Sequence, residues 1–228
     1  MLEDLLKELK RDDHCEILTS WKEIPIRVSL PIRWVSPQER FVSFDFKECK
    51  LKSVFGNAPI YLKFNELFIL CRLFSNVRDE LVLEVEAPVP APSIVLREFI
   101  RVEPTEKEPV YVSFRMDEGF SIRTKAADVS ESGIGLYLSK DDAKALLDTI
   151  VGIPEYGEKI HMPFELEIEL PQEGLIRAEG ELKNVLSKED ELYVRFGFKI
   201  RLDENQAKKI RRYVMKRQRE ILEQLKSL

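Results

Sequence analysis

The sequence predicts a mostly β protein made of two small β domains, joined by a proline-rich linker and flanked by a short N-terminal helix and a long C-terminal one. Three observations carry this prediction. Short runs rich in Val, Ile, Phe and Tyr recur between turn signals along most of the chain. The segment APVPAPS, residues 87–93, interrupts them once. Sustained helical periodicity is confined to the two ends and one interior stretch. With 228 residues, 44% of them hydrophobic, each half can bury a core without disulfides or a structural metal.

Taken in order, LEDLLKELKRDD opens the chain with Leu2, Leu5, Leu6 and Leu9 in the i, i+3, i+4, i+7 rhythm of an amphipathic helix. From Cys15 to Ala87 the pattern turns to the β-rich runs IPIRVSLPIRWVS, RFVSFDFKE, PIYLKFN, LFILCRLF and LVLEVEA, which suggest a small antiparallel barrel or sandwich. Pro88, Pro90 and Pro92 remove backbone donors and hold the next segment extended, so a domain boundary falls here, between residues 1–93 and 94–228. Beyond it, REFIRV, PVYVSFRM, FSIRTKAADVS, GIGLYLS, KIHMPFELEIEL, IRAEGELKNV and ELYVRFGFKIR read as strands, enough for a closed barrel. A helical segment, DDAKALLDTIVG, interrupts them, with an Asp placed to cap its start. The last helix runs from about Glu204 to Leu228, with Ile210, Tyr213, Val214, Ile221, Leu222 and Leu225 as its apolar stripe. Its basic middle, KKIRRYVMKRQR, reads as a solvated face or as a surface for an acidic partner.

Several function classes find no support. The net charge of −5 argues against non-specific coating of nucleic acid. No apolar run reaches the roughly 20 residues that span a bilayer, and no secretory pattern opens the chain. Cys15, Cys49 and Cys71 are odd in number and widely spaced, which points to a reducing cytoplasm rather than a disulfide framework or zinc knuckle. His14 and His161 form no metal-ligating pair, and the nucleophile elbow, the P-loop and the dinucleotide fingerprint are missing. The expectation is a protein that is not an enzyme and carries no cofactor.

Two clusters carry chemistry. In R-E-F-I-R, Arg97 and Arg101 stand four apart, and on a strand they would share a face. A guanidinium fork matches phosphate oxygens, and also the O6 and N7 acceptors of guanine. In D-V-S-E-S-G, Asp128 offers a carboxylate, Ser130 a small hydroxyl and Gly133 a close backbone approach. A carboxylate complements the N1–H and N2–H donors of guanine. Taken singly, the arginines read as surface charges and the second cluster as a turn. Secondary candidates are Leu96, which could pack on a base, Ser132, which could meet a phosphate, and Arg123, which could extend a basic patch.

Together and in this order, the two clusters resemble the PilZ domain family, receptors for the bacterial second messenger cyclic di-GMP. The family pattern, R-x-x-x-R followed some tens of residues later by D/N-x-S-x-x-G, is filled at every defining position by residues 97–101 and 128–133. GIGLYLS, RAEGELKNV and VRFGFKI are similar to later family strands, with Ile200 where Phe is usual, and the basic helix is similar to the closing helix. The likeness covers about residues 94–222. A β-rich domain, a linker and then this domain resemble the YcgR-type flagellar brake proteins, in which a split barrel precedes the PilZ barrel. The resemblance implies that Arg97, Arg101, Asp128, Ser130 and Gly133 bind cyclic di-GMP and that binding changes interdomain orientation. It further implies a protein partner such as a flagellar motor component, a cytoplasmic location and a homodimer as one admissible state. Readings left open are a PilZ-like scaffold that binds no nucleotide, a flavin-binding split barrel and a nucleic-acid-binding barrel.

Overall fold

In the computed structural model, residues 2–56, 58–115, 121–151, 163–187 and 192–227 are described. They form two compact units: Met1–Glu98 with Ile221–Leu228, and Phe99–Glu220. The expected boundary at 93/94 lies five residues before this division, and the last turns of the final helix group with the first unit.

The first unit begins with helix α1 (Leu2–Glu8) and continues into strands β1 (His14–Trp21), β2 (Ile24–Ser36), β3 (Phe41–Asp45), β4 (Ile60–Phe64), β5 (Leu67–Val77) and β6 (Glu80–Val89). They close into an antiparallel barrel in the order β1-β2-β3-β6-β5-β4, with β4 returning to pair with β1. Period-2 alternation sends Ile17, Ile32, Phe44, Leu62, Leu81 and Leu83 inward, all of them buried. Phe46 and Phe55 meet edge-on in the same core, and Leu2, Leu5 and Leu6 of α1 pack on it.

Strand β1, HCEILTSW, stands outside the runs that the sequence singles out. It is joined to β2 by a two-residue turn, Lys22–Glu23, with φ of 50° and 68°. That is a type I′-like hairpin without the Asn-Gly or Asp-Gly that usually advertises one.

The second unit contains β7 (Tyr111–Arg115), β8 (Ser121–Val129), β9 (Gly133–Ser139), helix α3 (Lys140–Val151), β10 (Pro163–Leu170), β11 (Gly174–Leu186) and β12 (Tyr193–Arg201). The order β10-β11-β12-β9-β8-β7 is again closed. Phe114, Phe164 and Phe198 form an aromatic triad inside it, with centroids 5.5–6.2 Å apart. The start of α3 is capped by Ser139, whose Oγ accepts from the Asp142 amide at 3.1 Å, so the capping residue is this serine and not the expected aspartate. His161 lies outside the described residues.

Helix α4 (Glu204–Lys226) starts with a true aspartate cap: Asp203 Oδ1 accepts from the Gln206 amide at 2.8 Å. Ile210, Tyr213, Val214 and Ile221 are buried as the periodicity predicts, whereas Leu222 is exposed. The buried place between Val214 and Ile221 belongs to Arg217, only 4% exposed. Its Nε donates to the Glu103 carbonyl at 2.8 Å, and its Nη1 meets Glu220 Oε2 at 3.1 Å. The basic middle is engaged by acids of its own unit: Arg211 with Glu131, Arg212 with Glu173 and Lys216 with Glu108. No described helix is long and apolar enough to cross a membrane.

One predicted element is absent. REFIRV is not a strand: Ser93–Leu96 form a single helical turn, α2, behind Pro92, and residues 97–101 have no ladder partner. Strand β8 runs beyond its pairing with β7, which ends at Lys125, so the edge left for this segment is short and residues 97–101 are not paired to it. Among the described residues the segment's one sheet contact is the bridge between Val102 and Val129, with reciprocal N–H···O bonds of 2.9 Å.

Candidate ligand-binding site

Strand β8 reaches Asp128 through a bulge after Ala126, and the bulge sets Asp128 opposite Gly135 of β9. The Asp128 side chain is 1% exposed. The Arg101 guanidinium approaches it, Nη1 to Oδ1 3.5 Å, and Arg195 of β12 pairs with Oδ2. Two cations on one buried carboxylate offset its desolvation, and they hold it in a fixed orientation. Arg101 reaches this position because the Val102–Val129 bridge ties its neighbour to the end of β8.

The carboxylate lies directly over the Gly135 backbone. A Cβ at residue 135 would fall inside the van der Waals envelope of the Asp128 carboxyl, whose Cγ would be 2.9 Å away. Gly135 is therefore a condition of the Asp128 position. The same register continues across the sheet from Gly135 to Gly197 of β12 and Asn184 of β11. The next outward row holds Tyr137, Arg195 and Leu186, so glycine backbone is bordered by an aromatic, a cationic and an aliphatic side chain.

The loop after Asp128 is tied at each residue. Ser130 donates to the Gly133 carbonyl from both its amide, 2.9 Å, and its Oγ, 3.0 Å. Glu131 accepts from Arg211 Nε of α4 at 2.9 Å, and the Ser132 carbonyl accepts from the Ile200 amide at 2.9 Å. Gly133 runs so close to β12 that a Cβ would come within 2.9 Å of the Phe198 carbonyl oxygen. Local backbone bonding, the expected habit of Ser in such a turn, holds for Ser130. Asp128 instead uses its carboxyl across strands.

Arg101, Asp128, Ser130 and Gly133 thus gather in the second unit. Arg97 belongs to the first unit, where its Nη1 meets Glu23 Oε2 at 2.9 Å. The two arginines therefore do not share a strand face, because the segment between them is not a strand. Leu96 is 69% exposed at the end of α2. Arg123 is committed elsewhere, to Glu169 at 3.0 Å and to the Tyr111 ring at 4.1 Å. Among the described residues no group of three His, Cys, Asp or Glu is arranged to hold a metal ion. Sequence reasoning missed Arg195, Gly135 and Glu23. The G-I-G run carried a signal for Gly135, whereas an isolated Arg and Glu carried none.

The family model for the PilZ domain matches residues 96–216, just over half of the chain. The chain belongs to the PilZ domain family. An uncharacterized protein of Aquifex aeolicus (strain VF5) is 33% identical to this PilZ chain over 222 residues, 96% of this chain and 93% of that protein. Three solved structures are similar at low identity. The MrkH–c-di-GMP complex of K. pneumonia has 13% identity and TM-score 0.49, covering 97% of this chain and 92% of that one. YcgR from Escherichia coli in complex with c-di-GMP has 13% identity and TM-score 0.46, covering 98% and 92%. The Bacillus subtilis inhibitor of motility MotI/DgrA has 10% identity and TM-score 0.44, covering 93% and 98%.

Proposed function

We propose that this PilZ protein is a receptor for cyclic di-GMP and not an enzyme. The observation that carries the reading is the family's motif pair, complete in the chain, with Asp128 of one motif held by Arg101 of the other. Arg97 and Arg101 present forks to phosphate or to O6 and N7, and Asp128, buried and held by Arg101 and Arg195, becomes an acceptor for the donor edge of guanine as those contacts give way to ligand. Ser130 and Gly133 keep the loop low, so that the ligand can approach the backbone. A micromolar ligand requires about −8 kcal/mol. A few charge-assisted hydrogen bonds of roughly 1.5–3 kcal/mol each, with base stacking, supply this after ordering costs.

Arg97 and Arg101 belong to different compact units. A ligand that drew on both would order residues 97–101 and shift the population of interdomain orientations. Such a shift is the signal we assign to this receptor. It would be read in the cytoplasm by a protein partner, a flagellar motor component or another effector of surface lifestyle. Isothermal titration with cyclic di-GMP tests the reading. Arg97→Ala, Arg101→Ala and Asp128→Asn each weaken binding at least about tenfold, a loss of roughly 1.4 kcal/mol, with folding intact by circular dichroism. Wild-type affinity in all three variants, or no binding by the wild type, removes the proposal.

A further inference from the structure

The hairpin turn between β1 and β2 presents a carboxylate to the first arginine of the motif, and nothing in the motif itself requires one there. Glu23 Oε2 stands 2.9 Å from Arg97 Nη1, and the two side chains are 25% and 19% exposed. We propose that Glu23 is an affinity-setting residue of the ligand site, a carboxylate of the protein that holds Arg97 in the place where ligand would hold it. This rests on the cyclic di-GMP reading above.

Three features point to this role. First, the carboxylate is delivered from a well-defined position: the β1–β2 ladder is continuous from His14↔Pro31 to Trp21↔Ile24, directly beside the turn. Second, Lys22 and Glu23 both have positive φ, 50° and 68°, although neither is Gly, Asn or Asp. Both central residues of a type I′ turn take positive φ, so the turn itself fixes where the Glu23 side chain leaves the hairpin. Third, Glu23 satisfies Arg97 incompletely. Among the described residues Arg97 Nε is buried without a hydrogen-bond partner while Nη1 is engaged. An acceptor with two oxygens side by side, such as a phosphate or the O6/N7 edge of guanine, can occupy more of the fork at once.

The consequence is an exchange. Glu23 shields the Arg97 cation when ligand is absent, and ligand must displace it to use Arg97. Apparent affinity is then the intrinsic affinity reduced by the fraction of molecules in which Arg97 is released. A simple strut that holds α2 in place predicts the opposite sign, because removing a strut disorders Arg97 and weakens binding.

The test is calorimetric titration of cyclic di-GMP into the full chain as wild type, Glu23→Gln, Glu66→Gln, Arg97→Ala and Glu23→Gln/Arg97→Ala. Glu66 lies in the β4–β5 turn of the same unit and controls for the loss of one negative charge. Glu23→Gln is expected to tighten binding by about three- to tenfold, the range of a partly exposed ion pair. Glu66→Gln is expected to change affinity by less than about twofold, as a distant, screened charge does. The double variant binds no better than Arg97→Ala. Unchanged or weaker binding by Glu23→Gln overturns the inference while leaving the receptor reading intact. So does equal tightening by Glu66→Gln, or tightening that survives without Arg97. Absence of binding by both the wild type and Glu23→Gln overturns the receptor reading and this inference with it.

Discussion

Replacing Gly135 by Ala separates the role of the glycine backbone from that of β-propensity, because the two act in opposite directions. In an ordinary strand interior Ala is more favourable than Gly by about 0.5–1 kcal/mol. Gly135 has no positive φ that would forbid a side chain, since Gly174 is the described glycine that does. The obstacle is Asp128, whose carboxyl carbon would lie 2.9 Å from the new Cβ. Forcing a methyl into packed space costs about 1–3 kcal/mol. Moving the carboxylate also loosens its contacts with Arg101 and Arg195, which are 36% and 26% exposed. Solvent screening holds that loss to about 1–2 kcal/mol. The balance is a destabilisation of about 2–3 kcal/mol, or roughly 10 °C in Tm for a unit of this size. Differential scanning calorimetry and far-UV circular dichroism are the suitable assays, since Trp21 and Trp34 both lie in the first unit. The decisive comparison is with Asp128→Ala. In that background the clash is gone, so Gly135→Ala becomes neutral or stabilising. Wild-type stability of the single variant, or an undiminished cost beside Asp128→Ala, refutes the assignment of Gly135 as the seat of Asp128.

Two further outcomes concern the first unit. Burial pushes the Cys15 thiol up to about 11 and raises Cys71 further, while Cys49 is only half-buried and less perturbed. Native alkylation at pH 8, read by peptide mass spectrometry, modifies Cys49 first and reaches Cys15 and Cys71 only on unfolding. Hydrogen bonds from Ser43 and from the Trp34 indole at 2.9 Å hold the Glu80 carboxyl below its ordinary value. A carboxyl depressed in the folded state contributes stability that is fully present above its unfolded pKa and is lost as pH falls through the folded one. Urea unfolding followed by tryptophan fluorescence therefore loses stability below about pH 4.5 in the wild type, and Glu80→Gln flattens that slope. An identical slope in the variant refutes the assignment.

Legibility varied with how local the cause was. The β-rich runs were readable because period-2 burial is imprinted residue by residue, and the barrel strands from β2 to β12 follow them closely. Strand β1 was missed because its hairpin turn is Lys-Glu, residues that do not announce positive φ. REFIRV was misread as a strand: it has the composition of one, but a strand requires a ladder partner, and Val102 alone of this segment meets one, at Val129. Arg217 was misplaced for a similar reason. Helical spacing marks its position as apolar, and only the Glu103 carbonyl and Glu220 make an arginine tolerable there.

By itself the sequence determined the β-rich pattern, the proline-marked junction and the residue types of the two motifs, because hydrophobic period, turn chemistry and a motif's spacing are written along the chain. It determined neither the partners of those motifs nor the path between them. Tertiary structure decided that Asp128 rests on Gly135 between Arg101 and Arg195, residues separated from it by up to 67 positions. It also decided that Arg97 is taken by Glu23, 74 positions away. The physical reason is the same in both cases. Strand pairing and turn geometry bring charges together across the fold, and single-sequence reading has no term for the distance between residues that are far apart in the chain.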